Sequence, residues 1–380
     1  MKKFGDVIRL YRGSSPRPIV HYITTSPDGE NWIRIGDMPI SGNVVTKTSE
    51  KITKEGARKS RRVVVGEIIL ANSMSFGMPY IMGIEGYIHD GWFVLRDYEQ
   101  YLNKTFLCEY LSSQVVQNQY KRMAAGGVVQ NISSDIVYSV KISIPSLPEQ
   151  QRIGELLNLL NERIAIQSKV IEDLKKLKAA LCASLFSQGR TIAVSLSEIG
   201  ESFGTMNLSK EDLTDNGSEC ILYGELFTTY DRVIKDVKSR TSIDISGVGS
   251  VSGCNDLLFP ASTTVDAISL IAPAAISKPG VILGGDMFGI RLCPQYNNRY
   301  MSNLLYYCYR GELASYAQGS TIIHLHYRDI EKTKLTVHPK DIQDSIADTL
   351  DLLDNRIENE QKTAAAYASQ KTYLIGRLFI

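Results

Sequence analysis

The sequence predicts an α+β protein in which two globular domains alternate with two long helices that pair as an antiparallel coiled coil. Three observations predict this fold class: a long amphipathic stretch at residues 146–190, a second one at residues 346–379, and a constant offset between them. Apolar residues of the first stretch recur at steps of mostly three and four, the period of a helix with an apolar seam, and Gly189 follows as a stop signal. The seam comprises Ile153, Leu157, Leu160, Ile164, Ile171, Leu174, Leu177, Leu181 and Leu185.

The second amphipathic stretch repeats the first at an offset of 193 positions, as from Ile153 to Ile346. Charged residues match as well as apolar ones, since Arg163 recurs as Arg356. Two unrelated amphipathic helices would share a period but not charged residues at one constant offset, so we interpret the match as an internal repeat. The seam of the second helix comprises Ile346, Leu350, Leu353, Ile357, Ala364, Tyr367, Leu374 and Leu378.

Each long helix follows a segment of mixed strands and helices. The first segment contains short β-rich runs, a predicted helix from Tyr101 to Arg122 and a strand from Ile136 to Ile144. The second contains predicted strands, one of them from Ala267 to Ile271, and a helix from Arg299 to Tyr316. The predicted order is a globular domain at residues 1–145, a helix at 146–190, a second domain at 191–338 and a second helix at 339–380.

Local echoes between the two domains support the duplication, since IRIGDM at residues 33–38 resembles ILYGEL at residues 221–226. Two copies of a domain-plus-helix unit are most simply related by a pseudo-two-fold axis through the helix pair, with antiparallel helices and domains at opposite ends. A helix of about 34 residues is about 50 Å long, while one turn of B-DNA is about 34 Å. The predicted helix pair is therefore long enough to separate two sites on a duplex.

Length and composition are those of an ordinary protein of two or three domains. The chain has 380 residues, 43% hydrophobic and 22% charged, and its 42 basic and 41 acidic residues nearly cancel. Nucleic-acid binding must therefore be argued from local charge. The six cysteines form no C-x-x-C pair, which is typical of reduced thiols in a cytoplasmic protein. The most apolar run, at 266–283, is interrupted by prolines and a lysine, so we expect no membrane span and a cytoplasmic location.

The first long helix and its leader resemble a known family. The leader reads P-S-L-P-E-Q-Q-R-I and is followed by L-L-N-L-L-N-E-R-I and K-K-L-K-A-A-L-x-x-x-L-F. Together with W-I-R-I-G-D at residues 32–37 and the order of domain, helix, domain, helix, this resembles the specificity subunits of type I restriction-modification enzymes. Of the Glu149-Gln150 pair in the leader, only Gln150 recurs, as Gln343, while Ile342 stands where Glu149 would repeat.

The resemblance implies a DNA sequence-specificity subunit with two target recognition domains, each recognising one half of a bipartite, asymmetric double-stranded DNA target. It implies that the coiled coil sets the spacer and helps to dock DNA adenine methyltransferase subunits, two in number, and that restriction and translocase subunits also bind. S-adenosylmethionine, ATP and Mg would then belong to these partners, so we expect no cofactor in this chain.

Local charge indicates where DNA would be contacted. Residues 47–62 hold seven basic and two acidic side chains, and such residues neutralise phosphates, while arginine also reads guanine. The alternative interpretation is a solvated loop. The candidates in this segment are Lys47, Lys54, Arg58, Lys59, Arg61 and Arg62.

Further polar side chains are weaker candidates. Amides can bind adenine, but turns and helix ends use the same residue types for their own backbone. In the first domain these candidates are Asn72, Ser75, Gln117, Gln119, Lys121 and Arg122, and in the second domain Lys238, Arg240, Thr263, Ser320 and Thr321.

Patterns typical of catalysis fail on inspection. GVGSVSG at residues 247–253 has Ser252 where G-x-G-x-x-G requires glycine, and no G-K dipeptide of a phosphate loop occurs. His324 and His326 alternate along a strand but lack a third metal ligand. We therefore expect no catalytic and no metal site. Two other functions stay open: a non-catalytic coiled-coil scaffold joining two protein-binding domains, and a catalytic nucleic-acid enzyme.

Overall fold

The computed structural model describes residues 1–39, 42–73, 77–124, 131–243 and 251–379. The chain divides into two compact units. Unit 1 is Met1–Val170 with Glu360–Ile380, and unit 2 is Ile171–Asn359. Each unit therefore contains one globular domain and parts of both long helices, whereas the predicted boundaries treat each helix as one separate segment.

The elements of the first domain and of the helix that follows it are short strands and helices ending in one very long helix. Its strands are β1 (Lys2–Lys3), β2 (Arg9–Arg12), β3 (Ile23–Thr24), β4 (Glu30–Ile33), β5 (Val44–Val45), β6 (Glu50–Ile52), β7 (Arg61–Val63), β8 (Ile68–Ala71), β9 (Pro79–Met82), β10 (Gly86–Ile88), β11 (Trp92–Arg96) and β12 (Lys141–Ile142). Its helices are α1 (Lys54–Arg58), α2 (Lys104–Ser112), α3 (Gln114–Ala124), α4 (Ser134–Ser139) and α5 (Leu147–Ser187).

The second domain and its helix follow the same plan. Its strands are β13 (Ile192–Ser195), β14 (Gly200–Gly204), β15 (Leu213–Leu222), β16 (Val233–Ile234), β17 (Ser239–Thr241), β18 (Asp256–Pro260), β19 (Ser262–Thr263), β20 (Ala274–Ile276), β21 (Ile282–Gly284), β22 (Met287–Leu292), β23 (Ile323–His324) and β24 (Lys334–Val337). Its helices are α6 (Glu225–Thr228), α7 (Ala267–Leu270), α8 (Asn298–Cys308), α9 (Arg310–Ser315), α10 (Tyr327–Ile330) and α11 (Lys340–Leu378).

The two domains share the topology of one five-stranded sheet, although their sequences differ and their second sheets have five and three strands among the described residues. The five-stranded sheet has the order β2-β11-β8-β9-β5 in unit 1 and β14-β22-β18-β20-β16 in unit 2. In both sheets the last pair is parallel and the other pairs are antiparallel. The similar segments IRIGDM and ILYGEL also lie at equivalent places in the two domains. Ile33 in β4 pairs in parallel with Ile88 in β10, and Ile221 in β15 pairs in parallel with Leu283 in β21. The predicted α+β repeat is thus confirmed.

The apolar faces of the long helices complete the domain cores. In unit 1, Ile153 and Leu157 of α5 share a core with Phe106 of α2 and with Phe379, just after α11. In unit 2, Phe186 near the end of α5 shares a core with residues from α8 and from the start of α11. Burying such a side chain stabilises a fold by about 1.5 to 3 kcal/mol, so both helices are integral to both cores.

Within each unit the two helix segments run antiparallel, as predicted. In unit 1, Leu157 shares its core with Leu374, and further along α5 the Gln167 amide donates to Glu360, earlier on α11. In unit 2, Lys178 pairs with Asp354, whereas Phe186, later on α5, shares a core with residues earlier on α11. Residues later on α5 therefore contact residues earlier on α11, which is the antiparallel arrangement.

The predicted seam follows the buried stripe except at Leu177, whose side chain is 55% exposed. The buried position of that turn is Lys178, four residues after Leu174, which pairs with Asp354 at 2.6 Å. Leu177 was predicted to face inward because it is apolar. The helical period instead places Lys178 on the buried face, where its aliphatic stem can lie along an apolar surface. Of the other proposed seam residues, Ile153, Leu157, Leu160, Ile346, Leu350 and Ile357 are buried, and Ile164, Ile171, Leu174, Leu181, Leu185, Leu353, Ala364, Tyr367, Leu374 and Leu378 are half-buried.

A buried glutamine ties the start of each long helix to its own domain. The Oε1 atom of Gln150 accepts a hydrogen bond from the Asn103 backbone N–H at 2.8 Å, and its Nε2 donates to two backbone carbonyls. Gln343 accepts from the Asn297 N–H at 2.9 Å and likewise donates to backbone carbonyls. Asn103 and Asn297 are the N-caps of α2 and α8. This contact explains why the glutamine of the leader recurs.

Two predicted helices are interrupted. The helix predicted from Tyr101 to Arg122 is α2 followed by α3, because Ser113 adopts an extended backbone and its hydroxyl donates to the Tyr110 carbonyl. The one predicted from Arg299 to Tyr316 is α8 followed by α9. The predicted stop after the first long helix is confirmed, since α5 ends at Ser187 and Gly189 has a φ of +89°.

Two predicted strands are wrong, the first over its whole length and the second at its start, because side chains cap helices there. The segment from Ala267 to Ile271 contains α7, whose N-cap Asp266 accepts from the Ser269 N–H at 2.6 Å. The segment from Ile136 to Ile144 lies partly in α4, which is capped by Ser133, and only then enters β12. Such caps override strand-like composition. None of the helices in the ranges given above is long and apolar enough to span a membrane.

We expect Gln150→Ala to lower the free energy of unfolding by about 1 to 3 kcal/mol, because it leaves buried backbone groups without partners. Gln151→Ala is the matched control, since this neighbour is exposed and its side-chain amide donates to the exposed Glu155 side chain. Urea unfolding followed by circular dichroism measures both. Equal effects of the two substitutions would show that the buried amide has no special role.

Candidate DNA-binding interface

The basic segment of unit 1, residues 47–62, forms β6, α1 and the start of β7. Thr53 caps α1 by accepting a hydrogen bond from the Gly56 N–H. Lys47, Lys54 and Arg58 are exposed, and they form no ion pair within the part of the chain that the structure describes. Their charges are therefore available to an anionic ligand.

The other cations of this segment have partners inside the domain. Lys59 donates to the Tyr22 hydroxyl at 2.6 Å and to Glu55 at 2.9 Å, and the bond to Tyr22 is the main reason why the pKa of Lys59 is raised. Arg62 pairs with Glu85, and Arg61 Nε donates to the Arg12 carbonyl at 3.1 Å. These three side chains are oriented by the fold.

Arg61 lies beside a cavity of about 570 Å³ in unit 1, because the residue that it contacts, Arg12, lines that cavity. The Asp90 carbonyl accepts from Arg12 Nε at 3.1 Å and from Asn72 Nδ2 at 2.9 Å. Burial lowers the pKa of His89, another lining residue, which favours its neutral form near neutral pH. The fold thus brings the basic segment and Asn72 to one cavity.

Several polar candidates of unit 1 have internal partners. Asn72 is 6% exposed, and its amide donates to a backbone carbonyl of the same domain. Gln117 donates to the carbonyls of Gly77 and Leu111, while Gln119 donates to and accepts from the Lys141 backbone. A base contact by Gln119 would require breaking these bonds. Lys121 and Arg122 are exposed at the end of α3, and Ser75 lies outside the described residues.

The charged candidates of unit 2 lie in a less basic setting. Arg240 in β17 is opposite Glu219 in β15, as Lys51 in β6 is opposite Asn31 in β4. Arg240 approaches the Glu219 carboxylate at 3.7 Å and donates to the Gly217 carbonyl at 3.0 Å. Lys238 is exposed. The strands match between the units, but the net charge that they present does not.

Unit 2 has a cavity of about 650 Å³ that Thr263 lines. Two arginines on its wall stack on one aromatic ring: Arg232 lies 4.2 Å and Arg310 4.5 Å from the centre of the Tyr306 ring. Ser320 and Thr321 are exposed in the loop after α9. Arginine over an aromatic ring, next to hydroxyl groups, can hold a phosphate while presenting a flat surface to a base.

The sequence predicted Asn72 and Thr263, which line these cavities, but local charge did not indicate Arg12, Asp90, Tyr306 or Arg310. Arg12 and Asp90 are distant in sequence and meet across β2 and β11. Tyr306 and Arg310 stand four residues apart, the spacing of neighbours on a helix, and this was a usable signal. Arg232 joins them only through tertiary packing.

A third cavity, of about 530 Å³, is lined by His324, His326 and Asp286. The two imidazole rings are stacked at 6.2 Å, and His324 Nδ1 is 3.8 Å from an Asp286 carboxylate oxygen. Across the described ranges, no group of three or more histidine, cysteine, aspartate or glutamate side chains is placed to hold a metal ion.

Comparison with known proteins identifies the family. The model of the type I restriction modification DNA specificity domain matches residues 3–176 and, a second time, residues 193–366. The chain belongs to this family. It is a type I restriction-modification specificity subunit with two repeated specificity domains, and such subunits are the non-catalytic components of their systems.

Solved structures of specificity subunits have the same fold. The chain is similar to the S subunit of a type I restriction-modification system from M. genitalium, with a TM-score of 0.63 and 16% identity over 100% of this chain and 95% of that one. A second structure, which concerns complex assembly and conformational transition of the type I system, matches with a TM-score of 0.58 and 14% identity over 97% of each chain. At these identities the likeness supports the fold alone.

We expect the double variant Lys54→Ala with Arg58→Ala to flatten the salt dependence of DNA binding. The slope of log K against log[salt] should become shallower by about 0.9 for each phosphate that the variant no longer neutralises. Lys210→Ala with Lys332→Ala, an exposed pair in unit 2, removes the same charge elsewhere. Binding is measured on the assembled type I complex, and equal slopes for both variants would exclude α1 from the interface.

Proposed function

We propose that this subunit directs a DNA adenine methyltransferase to a bipartite, asymmetric double-stranded DNA target, each domain reading one half. The observation that carries the proposal is that two copies of one domain topology present different surfaces. The first domain presents free cations on α1 and a cavity beside Arg12. The second presents Arg240 beside Glu219 and a cavity with two arginines on Tyr306. Two different surfaces on the same fold favour the recognition of two different DNA half-sites.

Backbone hydrogen bonds at equivalent places support a common recognition edge in the two domains. In the first domain the Ile132 N–H donates to the Asn72 carbonyl at 2.8 Å, and in the second the Leu325 N–H donates to the Ala261 carbonyl at 2.9 Å. Lys121 and Arg122, at the end of α3, precede the first bond, and Ser320 and Thr321, in the loop after α9, precede the second. We assign phosphate and base contacts to these four side chains and to the two cavities.

The exposed faces of the long helices support two docking sites for one kind of partner. Leu159 and Leu352 are identical, 193 positions apart, and 60% and 71% exposed. Arg163 and Arg356 are also identical and exposed. Core packing explains why buried positions of the repeat match, but it does not explain matching exposed leucines. Binding of the same partner at both places would explain the matching leucines. That partner is the methyltransferase subunit, in two copies.

The remaining parts of the proposed complex are those that the family resemblance implies. S-adenosylmethionine is bound by the methyltransferase subunits, and ATP and Mg by restriction and translocase subunits, which places all cofactors on the partners. The complex acts on DNA in the cytoplasm. The chain supplies recognition and spacing.

We expect Leu159→Lys and Leu352→Lys each to remove one methyltransferase from the complex, because each introduces a charge into a separate apolar contact. Affinity at the altered site should fall roughly tenfold or more, and the double variant should bind no methyltransferase. Native mass spectrometry gives the stoichiometry. Ile166→Lys is the matched control, since Ile166 is 62% exposed but its counterpart in the repeat is Asn359. A control that loses as much partner as the test variants would contradict the assignment.

The spacer of the target should depend on helix length, since α5 and α11 run through 41 and 39 residues without a break. We expect removal of residues 164–170 together with residues 357–363 to shorten the spacer by about three base pairs. Seven helical residues span about 10 Å, and stacked base pairs are about 3.4 Å apart.

Mapping of methylated adenines in a host that expresses the complex tests both statements. The unaltered chain should give one motif with unlike halves, and the shortened chain should keep both halves. An unchanged spacer would overturn the role of the helices, and a motif with a single half would overturn the proposed function.

A further inference from the structure

Two lysines related by the repeat, Lys178 buried and Lys371 half-buried, form ion pairs at the junctions of helix and domain. In unit 2, the Lys178 side chain is 4% exposed, and its Nζ lies 2.6 Å and 2.8 Å from the two carboxylate oxygens of Asp354. In unit 1, the Lys371 Nζ lies 2.9 Å from Glu109 Oε2, and the Glu109 side chain is 2% exposed. The lysines are 193 positions apart.

The acids that accept these lysines come from different elements. Asp354 lies on α11, in the half that directly follows its own domain and that we call the leading half. Glu109 lies instead on α2, in the first domain. The position of Asp354 is taken in the first repeat by Asn161, whose Nδ2 donates to Glu109 Oε1 at 2.7 Å.

The amide and the acid have exchanged places between the two units. Glu109 stands six residues after the N-cap Asn103 of α2, and six residues after the N-cap Asn297 of α8 stands Asn303. Asn303 is fully buried, and its side-chain oxygen has no hydrogen-bond partner within the described residues. Unit 1 therefore has its acid on the domain and its amide on the leading half, and unit 2 has the reverse.

An ammonium group held in a poorly exposed junction needs a carboxylate in contact with it. An unpaired buried charge is strongly destabilising, and a second carboxylate in contact at the same place would repel the first. Burial raises the pKa of Asp354 against the attraction of Lys178, and the charges of Asp231 and Asp351 raise it further. Each junction therefore favours one contacting acid, which can lie on the domain or on the helix.

We propose that each domain and the leading half of its helix together form an acid socket, which accepts the lysine on the trailing half of the other long helix. The trailing halves are the segments of α5 and α11 that end in unit 2 and unit 1, respectively. Since both trailing halves carry the same lysine, either socket fits either trailing half, in this chain or in a second copy. A domain can be exchanged only together with the leading half that completes its socket.

The proposal does not depend on the proposed DNA contacts and is tested first by substitutions in the full-length chain. Glu109→Gln leaves Lys371 without an acid, and Asn161→Asp gives it two. Each should speed amide hydrogen exchange in α2 roughly tenfold or more. The double variant, which reproduces the arrangement of unit 2, should restore exchange close to that of the unaltered chain. Glu155→Gln with Asn158→Asp, exposed on the same helix, is the control and should change little.

A double variant no better than the worse single variant would overturn the proposal. If Glu109→Gln alone prevents folding, recovery of a folded chain on adding Asn161→Asp still decides between the outcomes.

Grafts test the unit of exchange. Replacing residues 1–145 with residues 191–338 puts Asn303 at the place of Glu109 and leaves Lys371 without a contacting acid. Extending the graft so that residues 339–359 also replace residues 146–166 brings Asp354 with it. We expect only the longer graft to fold cooperatively, as followed by urea unfolding, and the shorter graft to be recovered by Asn161→Asp. Equal behaviour of the two grafts, or failure of that rescue, would show that the socket does not define the exchangeable unit.

Discussion

The fold depends on each long helix being buried at both of its ends in a domain core. Phe379 packs edge-on against Phe106 and Tyr110 in unit 1, and Phe186 packs against Tyr300 in unit 2. These phenylalanines are the same residue of the repeat. Each domain core is thus completed by a helix that began in the other repeat. A substitution in either helix therefore alters the packing of a domain core. This constraint accounts for the similarity of the helices while the domains diverged.

Polar contacts define the register that apolar packing leaves loose. An apolar stripe tolerates a shift by one turn, because one leucine can replace another, but a buried hydrogen-bonding group has only one satisfactory partner. Gln150 and Gln343 fix where the helices start relative to α2 and α8. Lys178 and Lys371 fix where they end. Between these points the exposed faces are free to serve a partner, as the matching leucines at 159 and 352 indicate.

The candidate site was only partly predictable. Charge density in residues 47–62 located α1, but it did not distinguish Lys54 and Arg58, which are free, from Lys59 and Arg62, which are paired within the domain. Amides at Asn72 and Gln119 have the chemistry for base contacts, yet they serve the backbone. The pairing of Arg232 and Arg310 on Tyr306 was not predicted, since it joins separate elements. Residue type determines which groups a side chain can bind, whereas its neighbours in the fold determine whether it is available to a ligand.

The sequence by itself determined the family, the order of domain and helix, and the equivalence of the two halves, because periodicity and a constant offset are properties of the chain alone. Tertiary structure decided that Lys178 and not Leu177 faces inward, that Asp266 and Ser133 start helices in strand-like segments, and that Glu109 reaches Lys371. These outcomes depend on which groups must share a buried volume. Desolvation makes an unpaired polar group costly there, and linear sequence does not say which partners will be near.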